Sequence, residues 1–495
     1  MKKILFTHSY FLHLDPKQLA TKQPYPPLGT LYAAAVMREQ GYEVTLFDTM
    51  FQENTTAISS RIDSYEPDIV VIYDDGFNYL TKMCLTNMRE AAFVMSKIAR
   101  TYGCTVIVSS SDASDRYEAY LNEGADYILI GEAEQTLLEL IGSFTNNQLN
   151  RQEIQGIAFK EANGSIVKTV SRKVMADLDS LPFPAWDLID IAPYREMWLK
   201  SSGYFSLNIG TTRGCPFKCN WCAKPIYGNR YHSRSPEKVV AELVLLKGLH
   251  GFDHIWFCDD IFGLKPGWVA SFAQLVTEAD LKFTFKIQAR ADLLVQENYI
   301  KALAKAGCTN VWMGAESGSQ KILDAMDKGI TIEQVIEATR LLKQYGIMPS
   351  WFIQFGYPGE DWEDIRLTIS MIKQWLPHSI GISVSYPLPG TLFYEKVKND
   401  LAEKSNWTDS DELKMMFRNR FQPEFYKQLH RYVHCVYRKK LAFTEIRYLL
   451  LHPLSLNRLS LKKSLSALYY LPAALISSFK TRQLAKIPKY DAAVI

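Results

Sequence analysis

Cysteine is scarce in this chain, which has only eight in 495 residues. Five of them show no paired spacing: Cys84, Cys104, Cys258, Cys308 and Cys435. A secreted protein held together by disulfides is therefore excluded, and a reducing compartment is indicated. We expect a cytoplasmic protein. The other three cysteines lie close together in one short stretch, which makes that stretch a candidate site.

Long apolar runs are also missing. No stretch reaches about eighteen uninterrupted apolar residues, so a membrane-spanning helix is not expected. The first apolar run, Lys3–Thr7, ends at His8 without a small-residue cleavage site, and we interpret it as a buried strand rather than a signal peptide. With 47% hydrophobic and 22% charged residues, the composition is that of a globular protein. The length indicates two to four domains.

Acidic residues are almost absent near the C-terminus. Between Lys414 and Lys489 there are sixteen basic residues and two acids, a net charge of +14 in a chain whose total is +3. Interleaved apolar residues favour cationic amphipathic helices on an anionic membrane surface. The alternative is that these helices pack on the rest of the protein with the cations solvated. Nucleic-acid binding is not expected, because no recognition motif accompanies the charge.

Two series of alternating strands and helices predict an α/β protein. In the first, short apolar runs at 3–7, 43–47, 68–73, 105–109 and 127–130 alternate with helical patterns. They predict a Rossmann-like parallel-sheet domain over 1–150, with ligands at the carboxyl ends of its strands. Asn163-Gly164 predicts a hairpin over 154–171. A stretch rich in Pro, Asp and Trp comes next, so 151–200 is interpreted as a hairpin and a linker packed across the domain junction.

The second series begins near Tyr204 and predicts a partial or full (β/α) barrel over 201–400. Helices are expected between its strands, for example at 236–249 and 332–345. No strand pattern is present after this series, so 401–495 is predicted to be a helical basic region. The strand candidates are 205–210, 253–258, 283–287, 310–314, 350–355 and 381–386.

The clustered cysteines come after the first strand of this second series, in the stretch Gly214-Cys215-Pro216-Phe217-Lys218-Cys219-Asn220-Trp221-Cys222. Thiolates are the ligands that iron–sulfur clusters and zinc select. Three thiolates leave one coordination position open, as catalytic metal sites do. A zinc site would need a fourth protein ligand, for which His232 is the nearest candidate.

This motif closely resembles that of the radical S-adenosylmethionine (SAM) superfamily, with Trp221 at its aromatic position. The resemblance implies that Cys215, Cys219 and Cys222 hold a [4Fe-4S] cluster whose open iron is chelated by the amino and carboxylate groups of SAM. An electron from the cluster would then cleave SAM to a 5′-deoxyadenosyl radical. An external electron donor of flavodoxin or ferredoxin type is implied as a partner, together with a small-molecule substrate.

Polar or glycine-rich segments come after the next five barrel strands in the same order as in the family. Each segment alone is a weak signal, because such residues after a strand are usually caps or turns. Together they support the resemblance along about 200 residues. The residues that the resemblance assigns to the SAM pocket are Trp221, Asp259, Asp260, Gln288, Arg290, Glu316, Ser317 and Gly356.

The N-terminal series is similar to the domain found in the cobalamin-binding subgroup of that superfamily. One departure is that Met50 stands where an axial histidine would be, in Asp48-Thr49-Met50. Cobalamin would therefore be held without a histidine ligand, and the alternative is a degenerate domain that only caps the barrel. The acidic residues among the predicted cobalamin contacts can also be interpreted as helix caps or as solvated loop residues. The residues implied in cobalamin binding are Leu28, Gly29, Asp74, Ser109, Ser110, Gly131 and Glu132.

The predicted function is that of a radical SAM enzyme which methylates an unactivated carbon of a small, lipid-like molecule with the help of cobalamin. Cobalamin-independent radical cyclisation, oxidation or rearrangement is the alternative among enzymes. A non-enzymatic protein that uses the three cysteines as a zinc or cluster clip is the alternative of another class. If the basic region binds membranes, the enzyme would lie at the inner membrane face.

Overall fold

Parallel-dominated sheets form the two halves of the chain in turn. The computed structural model describes residues 2–77, 82–145, 150–222 and 227–487. In the first sheet the strand order is β2-β1-β3-β4-β5-β6-β7, with every pair parallel up to β5. Its strands are β1 Lys3–Thr7, β2 Glu43–Phe47, β3 Ile69–Tyr73, β4 Thr105–Ser109, β5 Tyr127–Leu129, β6 Ile157–Lys160 and β7 Ile166–Lys168.

Helices cover both faces of this sheet, which is why its central strands are apolar throughout: every residue of β3 is buried. The fold class predicted for this part is confirmed. The predicted hairpin forms as β6 and β7, and it extends the edge of the sheet antiparallel to β5. The helices are α1 Pro16–Thr21, α2 Leu28–Glu39, α3 Ile58–Tyr65, α4 Thr86–Thr101, α5 Ser111–Asp115, α6 Tyr117–Asn122 and α7 Glu134–Thr145.

The segment between the sheets contains a helix that we did not expect, α8 Ala192–Ser202, whose Trp198 and Tyr194 are fully buried. The segment as a whole contacts both halves of the molecule. Tyr194 donates to Asp48 Oδ2 over 2.8 Å on the first sheet's side. Trp186, which precedes the helix, donates to Glu242 Oε1 over 3.1 Å on the other side. The segment therefore packs across the junction, as its aromatic content indicates.

The second sheet, as far as the structure describes it, has six parallel strands in the order β15-β14-β13-β12-β11-β8. Its first and last strands do not pair with each other within the described residues, so the barrel is partial. A short ribbon, β9 Thr212–Arg213 and β10 His232–Ser233, stands at its mouth. The barrel strands are β8 Ser206–Ile209, β11 His254–Phe257, β12 Thr284–Ala289, β13 Cys308–Glu316, β14 Met348–Phe355 and β15 Ser379–Val384.

Helices accompany the barrel strands and also form the C-terminal region, as predicted. The barrel helices are α9 Pro236–His250, α10 Trp268–Glu278, α11 Glu297–Ala306, α12 Gln320–Ala325, α13 Ile332–Gln344, α14 Trp362–Trp375 and α15 Leu392–Val397. The C-terminal helices are α16 Pro423–Leu451, α17 Arg458–Leu465 and α18 Ala467–Leu484. α16 packs on α14 and α18. In the described part of the chain, no helix is both long and apolar enough to cross a bilayer.

Residues 24–27, just before α2, lie beside the first barrel strand. Asn208 Nδ2 donates to the Pro26 carbonyl over 3.1 Å, and the Tyr25 and Ser206 hydroxyls are 3.2 Å apart. Trp198 Nε1 donates to the Pro24 carbonyl over 2.7 Å. This contact brings the N-terminal half against the open edge of the barrel.

Candidate active site

The cysteine loop starts from the carboxyl end of β8 and is held there by Asp259. The Asp259 carboxylate accepts from the backbone N–H groups of Thr211 (2.6 Å) and Thr212 (2.9 Å) and from the Thr211 hydroxyl (2.5 Å). Burial raises the pKa of Asp259 to about 7, against these hydrogen bonds. Both Asp259 oxygens are engaged by the start of the loop, and the predicted contact of Asp259 with SAM stays a prediction. In the structure Asp259 positions the start of the cysteine loop.

A second anchor, Asn220, lies between two of the cysteines. Its Nδ2 donates to the Ala325 carbonyl over 2.9 Å and to Asp327 Oδ2 over 2.7 Å. Its Oδ1 accepts from the Tyr357 hydroxyl over 2.8 Å. Every polar atom of this side chain thus ties the loop to segments beyond the fourth and fifth barrel strands. We did not predict this residue, because nothing in its local sequence distinguishes it from a turn asparagine.

Positive side chains surround the thiols. Arg290 lies with its guanidinium 3.6 Å from the centre of the Phe217 ring, and its Nη1 is 4.0 Å from Cys219 Sγ. Burial opposes the charge of Lys328, but Glu316 and then Cys219 raise its pKa. Lys82 is partly buried, and although burial opposes its charge, Asp260 and then other groups that include Cys222 raise its pKa. Their positive charge is complementary to that of an anionic metal–thiolate centre.

The donor set therefore fits an iron–sulfur cluster. Within the described ranges, no three Cys, His, Asp or Glu side chains converge on a point where they could hold a single metal ion. A [4Fe-4S] cluster does not need such convergence, because each thiolate binds a different iron. The zinc alternative gains no support, since His232 pairs with Arg213 in the β9–β10 ribbon and no such ligand set forms around it among the described residues.

The other residues predicted for SAM lie at the carboxyl ends of four adjacent strands. Glu316 has a left-handed backbone (φ 55°), and its Oε1 is 2.7 Å from Lys328 Nζ. Ser317 Oγ is 3.2 Å from Thr368 Oγ1. Asp260 pairs with Lys82 over 2.7 Å. Gln288 alternates with the buried Ile287 and Ala289 and faces the barrel lumen. The structure brings these side chains together, and their contact with SAM stays a prediction.

Gly356 is also at this rim, with φ +80°, and its N–H donates to Glu360 Oε2 over 2.6 Å. Glu360 is almost completely buried, and its other oxygen is without a partner among the described residues. Burial raises the pKa of Glu360 to about 8. A carboxylate there is therefore destabilised at neutral pH.

Changing Glu360 to Gln should alter how stability depends on pH. The folded-state pKa lies above the ordinary value of 4.5, so the contribution of Glu360 to stability is complete below about pH 4.5 and is lost as the pH rises through about 8. We expect Glu360→Gln to be more stable than the wild type at pH 8.5, by on the order of a few kcal/mol at most, and similar at pH 5. Urea unfolding at both pH values measures this.

Glu363→Gln is the matched control, since the Glu363 side chain is 62% exposed. It should leave the pH dependence unchanged. A Glu360→Gln variant whose stability relative to the wild type is the same at both pH values would contradict the assignment.

Residues predicted to bind cobalamin border the N-terminal sheet's carboxyl edge. Leu28 and Gly29 begin α2, and the Gly29 N–H donates to Asp75 Oδ1 over 3.1 Å. Asp74 accepts from Ser9 through its N–H (2.7 Å) and its hydroxyl (2.8 Å), and burial raises the pKa of Asp74 to about 6. Both acids thus hold the loops of this edge in place.

The remaining members lie after β4 and β5. The Ser109 carbonyl accepts from the Asp74 N–H over 2.8 Å, and the Ser110 hydroxyl caps α5 by accepting from the Ala113 N–H over 2.8 Å. Gly131 has a φ of +79°, and its N–H donates to Ser114 Oγ over 3.2 Å. These short groups form a rim, and direct contact with cobalamin stays a prediction for each.

Glu132 belongs to an ion cluster that joins the two halves of the site. Arg213, two residues before the first cysteine, donates to Glu132 Oε1 over 2.5 Å and to Glu134 Oε1 over 2.7 Å. All three side chains are buried, with 4% of Arg213 exposed. The rings of Tyr32, Phe77 and Tyr227 surround the guanidinium at 5.0–5.6 Å. The Glu132 carboxylate, which also accepts from the Met175 N–H, is thus an anchor of the cysteine loop.

A cleft lies at the same edge, lined by His8, Tyr10, Tyr25, Pro27, Met50, Asp74 and Asp75. Both ring nitrogens of His8 are engaged: Nε2 is 2.8 Å from Asp48 Oδ1, and Nδ1 is 3.0 Å from Thr49 Oγ1. Met50 is buried at the position that an axial histidine would occupy. The residues present therefore fit a cobalamin that takes no imidazole from this cleft.

Comparison with known proteins agrees with this geometry. Residues 209–372, which include the three cysteines and the predicted SAM residues, match the family model of the radical SAM superfamily, and residues 19–141 match the B12 binding domain. The chain belongs to the radical SAM superfamily, in the group with an N-terminal B12-binding domain. The predicted family and the predicted cofactors, a [4Fe-4S] cluster, SAM and cobalamin, are those of this group. A radical SAM chain of this kind is an enzyme, so the non-enzymatic alternative is set aside.

Curated relatives span most of this radical SAM chain. An uncharacterized methyltransferase of Pyrococcus horikoshii is 28% identical over 80% of this chain and 84% of its own length. The anaerobic magnesium-protoporphyrin IX monomethyl ester cyclase of Rubrivivax gelatinosus is 26% identical over 79% of this chain and 70% of its own.

Solved structures share the fold. TsrM, a radical SAM methyltransferase of Kitasatospora setae, was solved with cobalamin and a [4Fe-4S] cluster. It aligns with 80% of this chain and 75% of its own at 18% identity and a TM-score of 0.67. The cobalamin-dependent radical SAM enzyme OxsB covers 97% of this chain and 72% of its own at 19% identity and a TM-score of 0.72. At such identities the likeness shows the fold.

Proposed function

We propose that this radical SAM enzyme transfers a methyl group, with the help of cobalamin, to an unactivated carbon of a small, lipid-like molecule. One observation carries the proposal: Arg213 of the cysteine loop is bound by Glu132 and Glu134 of the B12-binding domain, so the two cofactor regions meet. Relatives named as methyltransferases support it, among them a hopanoid C-3 methylase of Methylococcus capsulatus, 23% identical over 85% of this chain.

The residues of the site have separate tasks in this reaction. When bound, the reduced cluster and SAM supply a carbon radical that abstracts hydrogen, and cobalamin supplies a methyl group. Cys215, Cys219 and Cys222 would hold the cluster. Arg290, whose Nη1 is 4.0 Å from Cys219 Sγ, and Lys328 would compensate its negative charge.

The second candidate function is radical cyclisation, oxidation or rearrangement without cobalamin. It is favoured by the relative named as an ester cyclase, which matches over 79% of this chain. Retention of cobalamin separates the two. Protein purified from a cobalamin-replete host should be coloured by the cofactor in about one copy per chain. Colourless protein that fails to take up added cobalamin would remove the methyltransferase proposal and leave the second candidate.

Anaerobic reconstitution tests the radical chemistry itself. Wild-type protein should show a broad absorption near about 400 nm and should cleave SAM to 5′-deoxyadenosine when reduced. Cys219→Ala should lose both. Cys104→Ala is the matched control, since Cys104 is a free, buried cysteine outside the loop, and it should keep both. Stoichiometric zinc with no SAM cleavage in the wild type would overturn the proposal.

We also propose that the C-terminal helices bind an anionic membrane surface, which would bring the enzyme to a lipid-like substrate. More than half of the exposed large apolar side chains in the described part of the chain lie in residues 441–487. On α18 the inner face packs against α16, whereas Leu468, Leu475 and Phe479 are 77%, 64% and 63% exposed. The surrounding net charge of +14 complements anionic lipid headgroups.

Sedimentation with vesicles tests this surface. We expect binding to phosphatidylglycerol vesicles, weaker binding to phosphatidylcholine vesicles, and a decrease with salt. Changing Leu468, Leu475 and Phe479 to Ser should reduce binding at least tenfold. Changing Val170, Leu249 and Leu392 to Ser is the control, because these exposed residues lie elsewhere. Unchanged binding in the first variant, or a lipid-independent dimer lost in that variant, would overturn the membrane proposal.

A further inference from the structure

One cation in the barrel, Lys286 on β12, is partly buried and has no partner of opposite charge among the described residues. Its Nζ lies 5.2 Å from the ring centres of both Tyr25 and Trp256. It makes no hydrogen bond or ion pair with any described residue. Burial lowers the pKa of Lys286 to about 8. The lysine therefore lies between two aromatic rings with its ammonium group unneutralised.

Other buried or nearly buried cations around the barrel are paired with a carboxylate. Arg234 pairs with Glu242 over 2.5 Å, Lys328 with Glu316 over 2.7 Å, and Lys82 with Asp260 over 2.7 Å. A cation–π contact contributes about 0.5–2 kcal/mol, whereas removing an ammonium from water costs several kcal/mol. The two rings alone therefore do not account for a lysine at this position.

The side chain points into the barrel lumen. The neighbours Phe285 and Ile287 are fully buried, and Phe285 packs on Phe272 of α10, outside the sheet. Lys286 is therefore on the inner face, as is Gln288, which lies about 7 Å nearer the mouth at the usual strand rise. The lysine is thus below the predicted SAM residues, in the space that a substrate would enter.

An apolar wall lies beside this lysine, on the next two strands of the sheet. Trp312 of β13 stacks on Phe352 of β14 with ring centres 4.7 Å apart and planes at 29°. Both positions are on the inner face by strand register. Gly381 of β15 makes room for them, since a Cβ there would be 3.1 Å from the Trp312 ring. Phe352 keeps 37% of its surface exposed, so the wall is open to a ligand.

We propose that Lys286 binds an anionic group, a carboxylate or a phosphate, of an otherwise apolar substrate that lies along Trp312 and Phe352. The inference rests on the proposed function, because it takes the lumen as the site of the methyl acceptor. The anion supplies the missing partner of the ammonium, and the aromatic wall accepts the hydrocarbon part. A substrate of this class is amphiphilic.

Binding of simple probes tests the site without SAM or reductant. Hexanoate, hexyl phosphate and hexanol are titrated against the full chain by isothermal calorimetry. We expect at least one anion to bind about ten times more tightly than hexanol, and the tighter of the two identifies carboxylate or phosphate. Lys286→Met should abolish this preference, whereas Lys286→Arg should retain part of it. Lys282→Met is the control, since Lys282 is 85% exposed, and it should retain all of it.

The inference is overturned if the wild type shows no preference for anions or if Lys286→Met keeps the preference. Should Lys286→Met fail to fold, the comparison of Lys286→Arg with the wild type still decides, because a bulkier cation at this site must change the ratio of anion to alcohol affinity. Failure of the proposed function is a separate result. In that case wild-type protein does not cleave SAM, whatever the probes do.

Discussion

Replacing Gly214 by alanine should abolish cluster incorporation. Gly214 precedes the first cysteine and has a φ of +77°, and a Cβ on it would overlap the Arg230 carbonyl oxygen and lie 2.9 Å from that of Tyr227. Both obstacles are backbone atoms, which cannot rotate away as a side chain would. The loop must therefore shift, and Cys215 shifts with it. We expect less than about a tenth of the wild-type iron and sulfide per chain after reconstitution, with a matching loss of absorption.

Gly203→Ala is a close control for that change. Gly203 has the same φ of +77°, but among the described residues nothing lies within 4 Å of its added Cβ. The left-handed backbone alone costs about 1–2 kcal/mol for a residue with a side chain. Gly203→Ala should therefore lose some stability and keep full iron content. Wild-type iron content in Gly214→Ala would show that the loop tolerates displacement, contrary to this expectation.

The second large effect is expected from Arg213→Met. The substitution leaves Glu132 and Glu134 buried, with side-chain exposures of 7% and 2%, and without their cation. Breaking a buried ion cluster from one side costs about 3–5 kcal/mol, because uncompensated charge remains in a region of low dielectric. We expect a fall of this size in the free energy of unfolding and a looser cysteine loop. Urea unfolding and iron content measure the two effects.

Arg38→Met is the matched control, because Arg38 also binds a carboxylate through two nitrogens, that of Asp187, but at the surface, where the two side chains are 40% and 61% exposed. Its loss should cost about 1 kcal/mol or less. Changing Glu132 and Glu134 to Gln in the Arg213→Met protein should restore part of the stability. If the two arginine variants were equally stable, the buried cluster would not be what joins the domains.

The order of strands and helices was predictable because each buried strand is a short apolar run that stands out from the helical pattern around it. Helix α8 was not predicted. Its sequence has no clear apolar period, and Tyr194 and Trp198 are buried by residues distant in sequence, such as Phe51 and Tyr25. The C-terminal helices were predicted as helices, but their exposed apolar face depends on which side packs against α16.

The site was predictable only where chemistry is local in sequence. Three cysteines in one loop can be recognised from their spacing in the sequence. The hydrogen bonds that Asp259 and Glu132 accept could not be recognised in this way. Their donors, Thr211 and Arg213, lie 48 and 81 positions away in sequence. Lys286 was missed for a related reason. Which face of β12 points into the lumen depends on strand register and on the aromatic residues that pack outside.

Tyr25 has a further consequence for how such enzymes diversify. This residue precedes the helix α2 of the B12-binding domain, yet its ring contacts Trp256 and Lys286 inside the barrel. It also lines the cleft of its own domain. The proposed substrate chamber is thus built partly by the neighbouring module. Chimeras that exchange the N-terminal module between relatives would alter what the chamber accepts, even with every barrel residue unchanged.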